Sequence, residues 1–136
     1  MRIEKEYKFY AAHRNQNLEG KCNSLHGHRY GVTVVIQPER TIAGVTMLFA
    51  DIDSIVEPVI AQLDHSCLVD INDPLIESML MAGKTFCLDK ETSAENLAEE
   101  LFSILIGLGL PLVELRIKET DSTQVIYDIE DYDGNS

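Results

Sequence analysis

Alternating hydrophobic residues near the start of the chain predict two neighbouring β-strands. The first alternation runs through Tyr7, Phe9, Ala11 and His13, and its period of two is typical of a half-buried strand. After a polar loop at 13–23, the alternation resumes, and a strand there would place six side chains on one face: His26, His28, Tyr30, Val32, Val34 and Ile36. The polar stretch Gln37, Pro38, Glu39 and Arg40 is expected to end this strand.

A helical period replaces the alternation in the middle of the chain. Its apolar stripe comprises Ile52, Ile55, Val56, Val59, Ile60 and Leu63. Asp51 and Asp53 suit the positive end of a helix dipole. Because Pro58 lies inside this window, the helix either kinks there or begins near residue 55.

A second helical stripe is bounded more clearly. It comprises Ala94, Leu97, Ala98, Leu101, Phe102 and Leu105. Thr92 with Glu95 matches a capping box at its start. Gly107, Gly109 and Pro111 are expected to stop it.

Two further alternating runs close the chain, so the predicted order is ββααββ. The runs are Val113-Leu115-Ile117 and Val125-Tyr127-Ile129, on either side of a polar turn at 121–123. This order predicts one α+β domain over residues 1–136, an antiparallel sheet with two helices on one face. The other face also carries many apolar residues, which favours oligomerisation through the sheet. We expect the acidic tail, 128–136, to be solvated and frayed.

Composition narrows the classes of function. The 136 residues are 45% hydrophobic and 25% charged, ordinary values for a globular protein. With 11 Lys and Arg against 23 Asp and Glu, the net charge of -12 excludes nonspecific binding to nucleic acid. A small anionic ligand held by a local group of cations remains compatible with this charge.

Cysteine usage and hydropathy point to the cytoplasm. Cys22, Cys67 and Cys87 are odd in number and lack CxxC spacing, which argues against a disulfide framework. We interpret Cys67 and Cys87 as buried, inert thiols. The N-terminal stretch lacks the apolar region of a secretory signal, and no run is long enough to span a bilayer.

Three of the four histidines fall within sixteen residues and predict a metal site. His26 and His28 are two apart on a strand, so both imidazoles point the same way, and a hairpin would bring His13 alongside them. Three neutral imidazoles from two strands suit zinc with one coordination position open, which is typical of catalytic zinc. An HxH pair alone would be a weak indication.

Other residues near this cluster have more than one interpretation. Cys22, beside Lys21 and in the same loop as Arg14, is an activated thiol, a fourth zinc ligand or an inert thiol. The pair Asp64-His65 is a helix C-cap or half of a proton relay, and the dipeptide alone favours the cap. Glu119, at a strand end, is solvated or accepts two hydrogen bonds from a guanine-like heterocycle.

Taken together, these segments resemble the 6-pyruvoyl-tetrahydropterin synthase superfamily, which includes the bacterial 6-carboxytetrahydropterin synthases of queuosine biosynthesis. The resembling segments occur in the family's order over roughly residues 7 to 127, nearly the whole chain: FYAAH at 9–13, KCNSLHGH at 21–28, LDH at 63–65, TSAENLA at 92–98, and KET at 118–120 with IY at 126–127.

The resemblance implies the tunnelling (T) fold, in which three subunits join their sheets into a barrel and two trimers commonly stack as a hexamer. It implies that His13, His26 and His28 bind zinc and that Cys22 is the catalytic base. Asp64 and His65 would form a relay across a subunit interface, and this reverses the preference for a cap. Glu119, with Ser93 and Ala94, would contact the pterin.

The implied substrate is 7,8-dihydroneopterin triphosphate. The implied products are 6-carboxy-5,6,7,8-tetrahydropterin, acetaldehyde and triphosphate, or alternatively 6-pyruvoyltetrahydropterin, which keeps all side-chain carbons. The three residues between Cys22 and His26 resemble the bacterial carboxy-type enzymes. A noncatalytic zinc- or pterin-binding protein is a third hypothesis, against which the joint presence of Cys22, Asp64, His65 and Glu119 argues.

Three departures from the family pattern leave the substrate preference open. Leu48 stands where many relatives carry Asp, and Val69 stands where Asn is frequent. The stretch 79–88 is longer and more apolar than is typical. Arg14, Lys21, Arg29 and Lys118 are the candidates for a basic mouth that would bind triphosphate.

Overall fold

A computed structural model describes residues 1–39 and 42–135, and its centre is a six-stranded mixed sheet. The strands are β1 (Ile3–His13), β2 (His26–Ile36), β3 (Ser66–Asp70), β4 (Thr85–Leu88), β5 (Leu112–Thr120) and β6 (Thr123–Asp128). The helices are α1 (Phe49–Leu63), α2 (Ile76–Ala82), α3 (Ala94–Gly107) and α4 (Ile129–Asn135). Spatial order across the sheet is β4-β3-β1-β2-β5-β6.

The four predicted strands are confirmed as β1, β2, β5 and β6, but the prediction of a wholly antiparallel sheet is wrong. Those four pair antiparallel with one another, in the order β1-β2-β5-β6. Strand β3, however, runs parallel to β1, and β4 runs parallel to β3. Both extra strands lie within the stretch after α1, whose short apolar runs carry no alternation. Arg40, predicted to help end β2, lies outside the described residues.

Both predicted helices are confirmed, with corrected starts. Helix α1 begins at Phe49 and continues through Pro58, so the alternative start near residue 55 is wrong. Ser93, rather than Thr92, is the N-cap of α3, because its side chain accepts a hydrogen bond from the Asn96 backbone N–H. The hydroxyl of Thr92 instead donates to the backbone carbonyl of Arg14, 3.1 Å away.

The core lies between one sheet face and helices α1 and α3. Phe9 and Tyr30 stack there with ring centroids 4.9 Å apart, and the alternating residues of β1 and β2 join the helical stripes in one buried cluster. Apolar burial of this kind is the main stabilising contribution to the fold. On this same sheet face, His13 is the last residue of β1, and His26 and His28 lie at the start of β2.

The opposite sheet face is charged, which corrects the prediction that it is apolar. Thr33 pairs with Glu6 and Arg116, and Val35 pairs with Glu4 and Glu114. The stems of these charged residues flank Thr33 and Val35, which are both buried. The argument for self-association from an apolar face therefore fails.

The described part of the C-terminal tail, residues 128–135, is mostly helical, which corrects the expectation of fraying there, and Ser136 lies outside the described residues. Residues 129–135 form α4, so Ile129 belongs to this helix and not to β6. The ring of Tyr132 lies 5.2 Å from that of Phe102 in α3, and this aromatic contact ties the acidic helix to the core. Among the described residues, the helices are all too short or too polar to cross a bilayer.

Candidate metal centre and its surroundings

The three histidines meet where β1 ends and β2 begins. In the antiparallel register His13 lies opposite His26, and His28 lies opposite Ala11, so all three imidazoles project from the same face of the hairpin. Their ring centroids are 4.7–5.2 Å apart. One potential ligand atom from each lies within 4.8 Å of the others. The predicted cluster is therefore present.

Backbone carbonyls determine which ring nitrogens face the centre. The Nδ1 of His13 lies 2.7 Å from the carbonyl oxygen of Thr92, and the Nδ1 of His26 lies 2.7 Å from that of Ser24. Because a carbonyl can only accept, each Nδ1 carries the proton. Each Nε2 therefore keeps a lone pair, as in metal-ligating histidines whose other nitrogen donates to the protein.

The donor set fits a divalent metal ion. Within the described part of the chain, Nε2 of His13 and Nε2 of His28 are buried without a hydrogen-bond partner, a costly arrangement unless a ligand is bound. Burial lowers the pKa of His13 and of His28, which favours the neutral form of both imidazoles. Nitrogen donors of this type suit zinc and other first-row metals.

Glu119 faces the cluster from the end of β5. One carboxylate oxygen lies 3.9 Å from Nε2 of His13, and the other lies 4.0 Å from Nε2 of His28. The same side chain lines a cavity with Ala94 and Glu95 at the start of α3 and with Thr123 at the start of β6. Glu119 thus borders both the histidines and a cavity. Ser93, predicted to contact substrate, caps α3 next to that cavity.

Cys22 lies beside the cluster, on a short 3-10 helix at Gly20–Asn23. It is exposed and lines a cavity with Lys21, Ser24, His26 and His28. The group of residues able to hold a metal comprises only the three histidines among those described. This geometry favours a thiol near the centre over a fourth ligand.

Asp64 and His65 lie on the other side of β1. The carboxylate of Asp64 accepts hydrogen bonds from Nδ1 of His65 at 3.0 Å and from the Tyr10 backbone N–H at 2.9 Å. Both hydrogen bonds lower the pKa of Asp64, and the one from the Tyr10 backbone N–H has the larger effect. The last carbonyls of α1 bind Lys84 rather than the His65 ring. Among the described contacts, none joins this pair to the three histidines.

Two of the sequence interpretations need correction here. Arg14 forms a two-pronged ion pair with Asp73, at 2.7 and 2.8 Å, so its guanidinium is already engaged and does not belong to a basic mouth. Cys87 is exposed rather than buried. Cys67 is half-buried, and burial raises the pKa of its thiol.

Sequence reasoning missed two supports of the centre. Tyr30 packs edge-on against His13 and His28, with ring centroids 6.0 and 5.5 Å away. Its place two residues after His28 in the same alternation could have indicated this. The Thr92 carbonyl that orients His13 is 79 residues away along the chain, and the sequence carries no signal for it.

Comparison with known proteins agrees with the fold. The family profile described as 6-pyruvoyl tetrahydropterin synthase matches residues 2–130. A 6-carboxy-5,6,7,8-tetrahydropterin synthase of Haemophilus influenzae is 33% identical over 133 residues, covering 90% of this chain and 94% of its own.

Solved structures share the architecture. An uncharacterized protein of Wolinella succinogenes superposes with a TM-score of 0.77 at 20% identity, covering 95% of this chain and 98% of its own. A 6-pyruvoyl tetrahydropterin synthase of Plasmodium falciparum gives 0.74 at 18% identity, covering 93% and 96%. These likenesses establish the tunnelling fold.

Proposed function

The chain belongs to the 6-pyruvoyl tetrahydropterin synthase family, and from this premise we propose that it is a zinc-dependent pterin lyase. Its substrate would be 7,8-dihydroneopterin triphosphate. Its products would be 6-carboxy-5,6,7,8-tetrahydropterin, acetaldehyde and triphosphate. The observation that carries the proposal is the convergence of three imidazoles, two of them with buried, unpartnered Nε2 atoms, beside the carboxylate of Glu119.

The metal is proposed to be zinc, held by His13, His26 and His28. When bound, zinc would supply Lewis acidity toward the side-chain hydroxyls of the substrate. The hydrogen bonds from Nδ1 of His13 and of His26 to backbone carbonyls would hold these two rings in place throughout turnover.

The remaining residues would bind the substrate and move its protons. Glu119 would anchor the pterin by accepting hydrogen bonds from a ring N–H and the exocyclic amine, with Ala94 and Ser93 at the edge of the same cavity. Cys22 would take a proton from the substrate side chain as general base. His65, oriented by Asp64, would shuttle protons as triphosphate leaves.

The position of Asp64 and His65 supports an assembled enzyme. Their contacts with Tyr10 and Lys84 lie on the β3 side of β1, away from the three histidines. We therefore propose that they serve the centre of a neighbouring subunit in a trimer or hexamer. In the described part of the chain β4 and β6 are the outermost strands of the sheet, and sheets of neighbouring subunits would be joined at such outer strands. The three free thiols support the proposal of a cytoplasmic location.

The alternative product is 6-pyruvoyltetrahydropterin, which the description of the matching family profile favours. The name of the Haemophilus influenzae relative favours the carboxy product. Mass spectrometry of the products formed from 7,8-dihydroneopterin triphosphate by the zinc-loaded protein separates them. Acetaldehyde with a carboxytetrahydropterin supports the main proposal, whereas a pyruvoyl product replaces it. No turnover with zinc bound points to another pterin substrate or to a noncatalytic binding protein.

The cations proposed to bind the triphosphate are Lys21, Arg29 and Lys118. Arg14 is left out because its guanidinium is paired with Asp73. Lys21 lines the cavity beside Cys22, which makes it the strongest of the three. Charge reversal by Lys21→Glu is expected to raise KM for the triphosphate substrate while the zinc content stays unchanged. An unchanged KM would remove Lys21 from the binding site.

A further inference from the structure

The loop that carries Cys22 is held by a partly buried network of polar side chains. We define the Cys22 loop as residues 14–24, between β1 and β2. Its backbone is closed by a hydrogen bond from the Asn15 N–H to the Cys22 carbonyl at 2.7 Å. The side-chain amide of Asn23 also donates to the Gln16 carbonyl at 3.1 Å. The two ends of the loop are therefore held against each other.

Arg14 connects this loop to the connection after β3. Its Nε and Nη2 donate to the two carboxylate oxygens of Asp73 at 2.8 and 2.7 Å. Its remaining nitrogen, Nη1, donates to the carbonyl and side-chain oxygens of Asn23 at 3.2 and 3.3 Å. One guanidinium thus joins a buried carboxylate to the residue that follows Cys22.

Asp73 is itself held firmly. Its side chain is only 2% exposed, and its Oδ1 also accepts from the Leu75 backbone N–H at 2.8 Å. A second hydrogen bond joins the same two segments, since the Gln16 side-chain amide donates to the Asp70 carboxylate at 2.8 Å. Asp70 is buried as well. Asp70, the last residue of β3, and Asp73, three residues later, therefore both hold the same loop.

We infer that the Arg14–Asp73 pair is a positioning device that holds Cys22 at the metal centre. The inference rests on the proposed role of Cys22 as general base. A planar guanidinium can bind a carboxylate with two prongs and still reach a third acceptor. A thiol on an otherwise exposed 3-10 turn needs such a support, because a displacement of about 1 Å can lower a rate about 100-fold.

The test compares Asp73→Asn with Asp53→Asn. Asp53 accepts hydrogen bonds from Lys5 and Tyr7 and joins α1 to β1. Its ion pair is therefore a control that does not touch the loop, and its side chain is 26% exposed against 2% for Asp73. In the zinc-loaded enzyme, Asp73→Asn is expected to lower kcat about 10- to 100-fold, with KM and zinc content near wild type. Asp53→Asn is expected to keep the wild-type kcat.

A second variant and a second measurement separate positioning from folding. Arg14→Lys keeps the charge but cannot span Asp73 and Asn23 together, so it is expected to lose a similar factor of kcat. Combining it with Asp73→Asn should lower kcat little further. Hydrogen exchange read by mass spectrometry is expected to rise in the loop peptide, residues 14–24, in both variants.

The inference is overturned if loop exchange rises while kcat is unchanged, or if Asp53→Asn loses as much kcat as Asp73→Asn. Either result leaves the proposed function intact. Cys22→Ala tests the proposed role of Cys22 as general base separately from the positioning role of the Arg14–Asp73 pair. Full activity in that variant would refute the role of Cys22, and the positioning role with it.

Discussion

Zinc should stabilise this protein through His13 and not through His65. His13 is buried within the cluster, whereas His65 has a side chain that is 77% exposed and whose known contacts lie at Asp64 and Tyr10. The variants His13→Ala and His65→Ala therefore remove the same chemical group from two different environments. The predicted difference between them concerns only the stability that depends on metal.

The magnitude follows from linkage between binding and folding. At a free zinc concentration 100-fold above the wild-type Kd, bound metal adds about 2.7 kcal/mol to the free energy of unfolding. If His13→Ala weakens binding 100-fold, the increment falls to about 0.4 kcal/mol by the same relation. His65→Ala should retain the full increment.

The His13→Ala substitution also changes the stability of the metal-free protein. His13→Ala also leaves the Thr92 carbonyl without its partner, and an unsatisfied buried acceptor costs about 1–3 kcal/mol. Each variant is therefore measured against its own metal-free form, at one protomer concentration, by guanidinium unfolding with buffered free zinc. The reasoning is refuted if His13→Ala gains as much stability from zinc as wild type, or if His65→Ala gains none.

Three further outcomes are expected. Cys22→Ala should retain zinc by elemental analysis while turnover falls about 10²- to 10⁴-fold, the range for acid–base groups; loss of zinc would make Cys22 a ligand. Leu48 occupies the N-cap of α1 without a side-chain cap bond. In urea unfolding, Leu48→Ser should be about 1 kcal/mol more stable than Leu48→Ala, because serine can accept from the first helical N–H groups; equal stabilities would refute this. The Arg14 guanidinium lowers the pKa of Asp73. Asp73→Asn should therefore lose stability relative to wild type above the unfolded Asp pKa of about 3.9, and this difference should fade as the pH falls through the lower native pKa. Unfolding at pH ~6 and ~2.5 measures it, and a difference independent of pH would contradict the assignment.

The histidine cluster and the main elements could be predicted because their signals are local. Alternation along 7–13 and 26–36 determines which side chains share a face, and a hairpin brings His13 to His26 without help from the rest of the chain. The apolar stripe of α3 likewise needs only its own spacing. Identification of Cys22 and Glu119 came from their order along the chain, through the family resemblance.

Strand β3 escaped prediction because a parallel, buried strand lacks alternation, and β4 escaped it because it has only four residues, of which Leu88 alone is buried. The run from Cys67 to Val69 is apolar at every position, a pattern that a short buried helix segment would also show. This run is a strand because it pairs with β1, and that pairing joins residues more than 50 positions apart. Helix α4 was missed for a similar reason, since its anchor is the distant ring of Phe102.

The sequence by itself determined which residues can bind a metal and which faces of the strands and helices are apolar. Only the tertiary structure decided that Arg14 binds Asp73, that the Thr92 carbonyl orients His13, and that the second sheet face is charged. The physical reason is the range of the interactions. Periodicity records the burial of neighbouring positions, whereas a buried hydrogen bond between distant residues depends on how the whole chain packs.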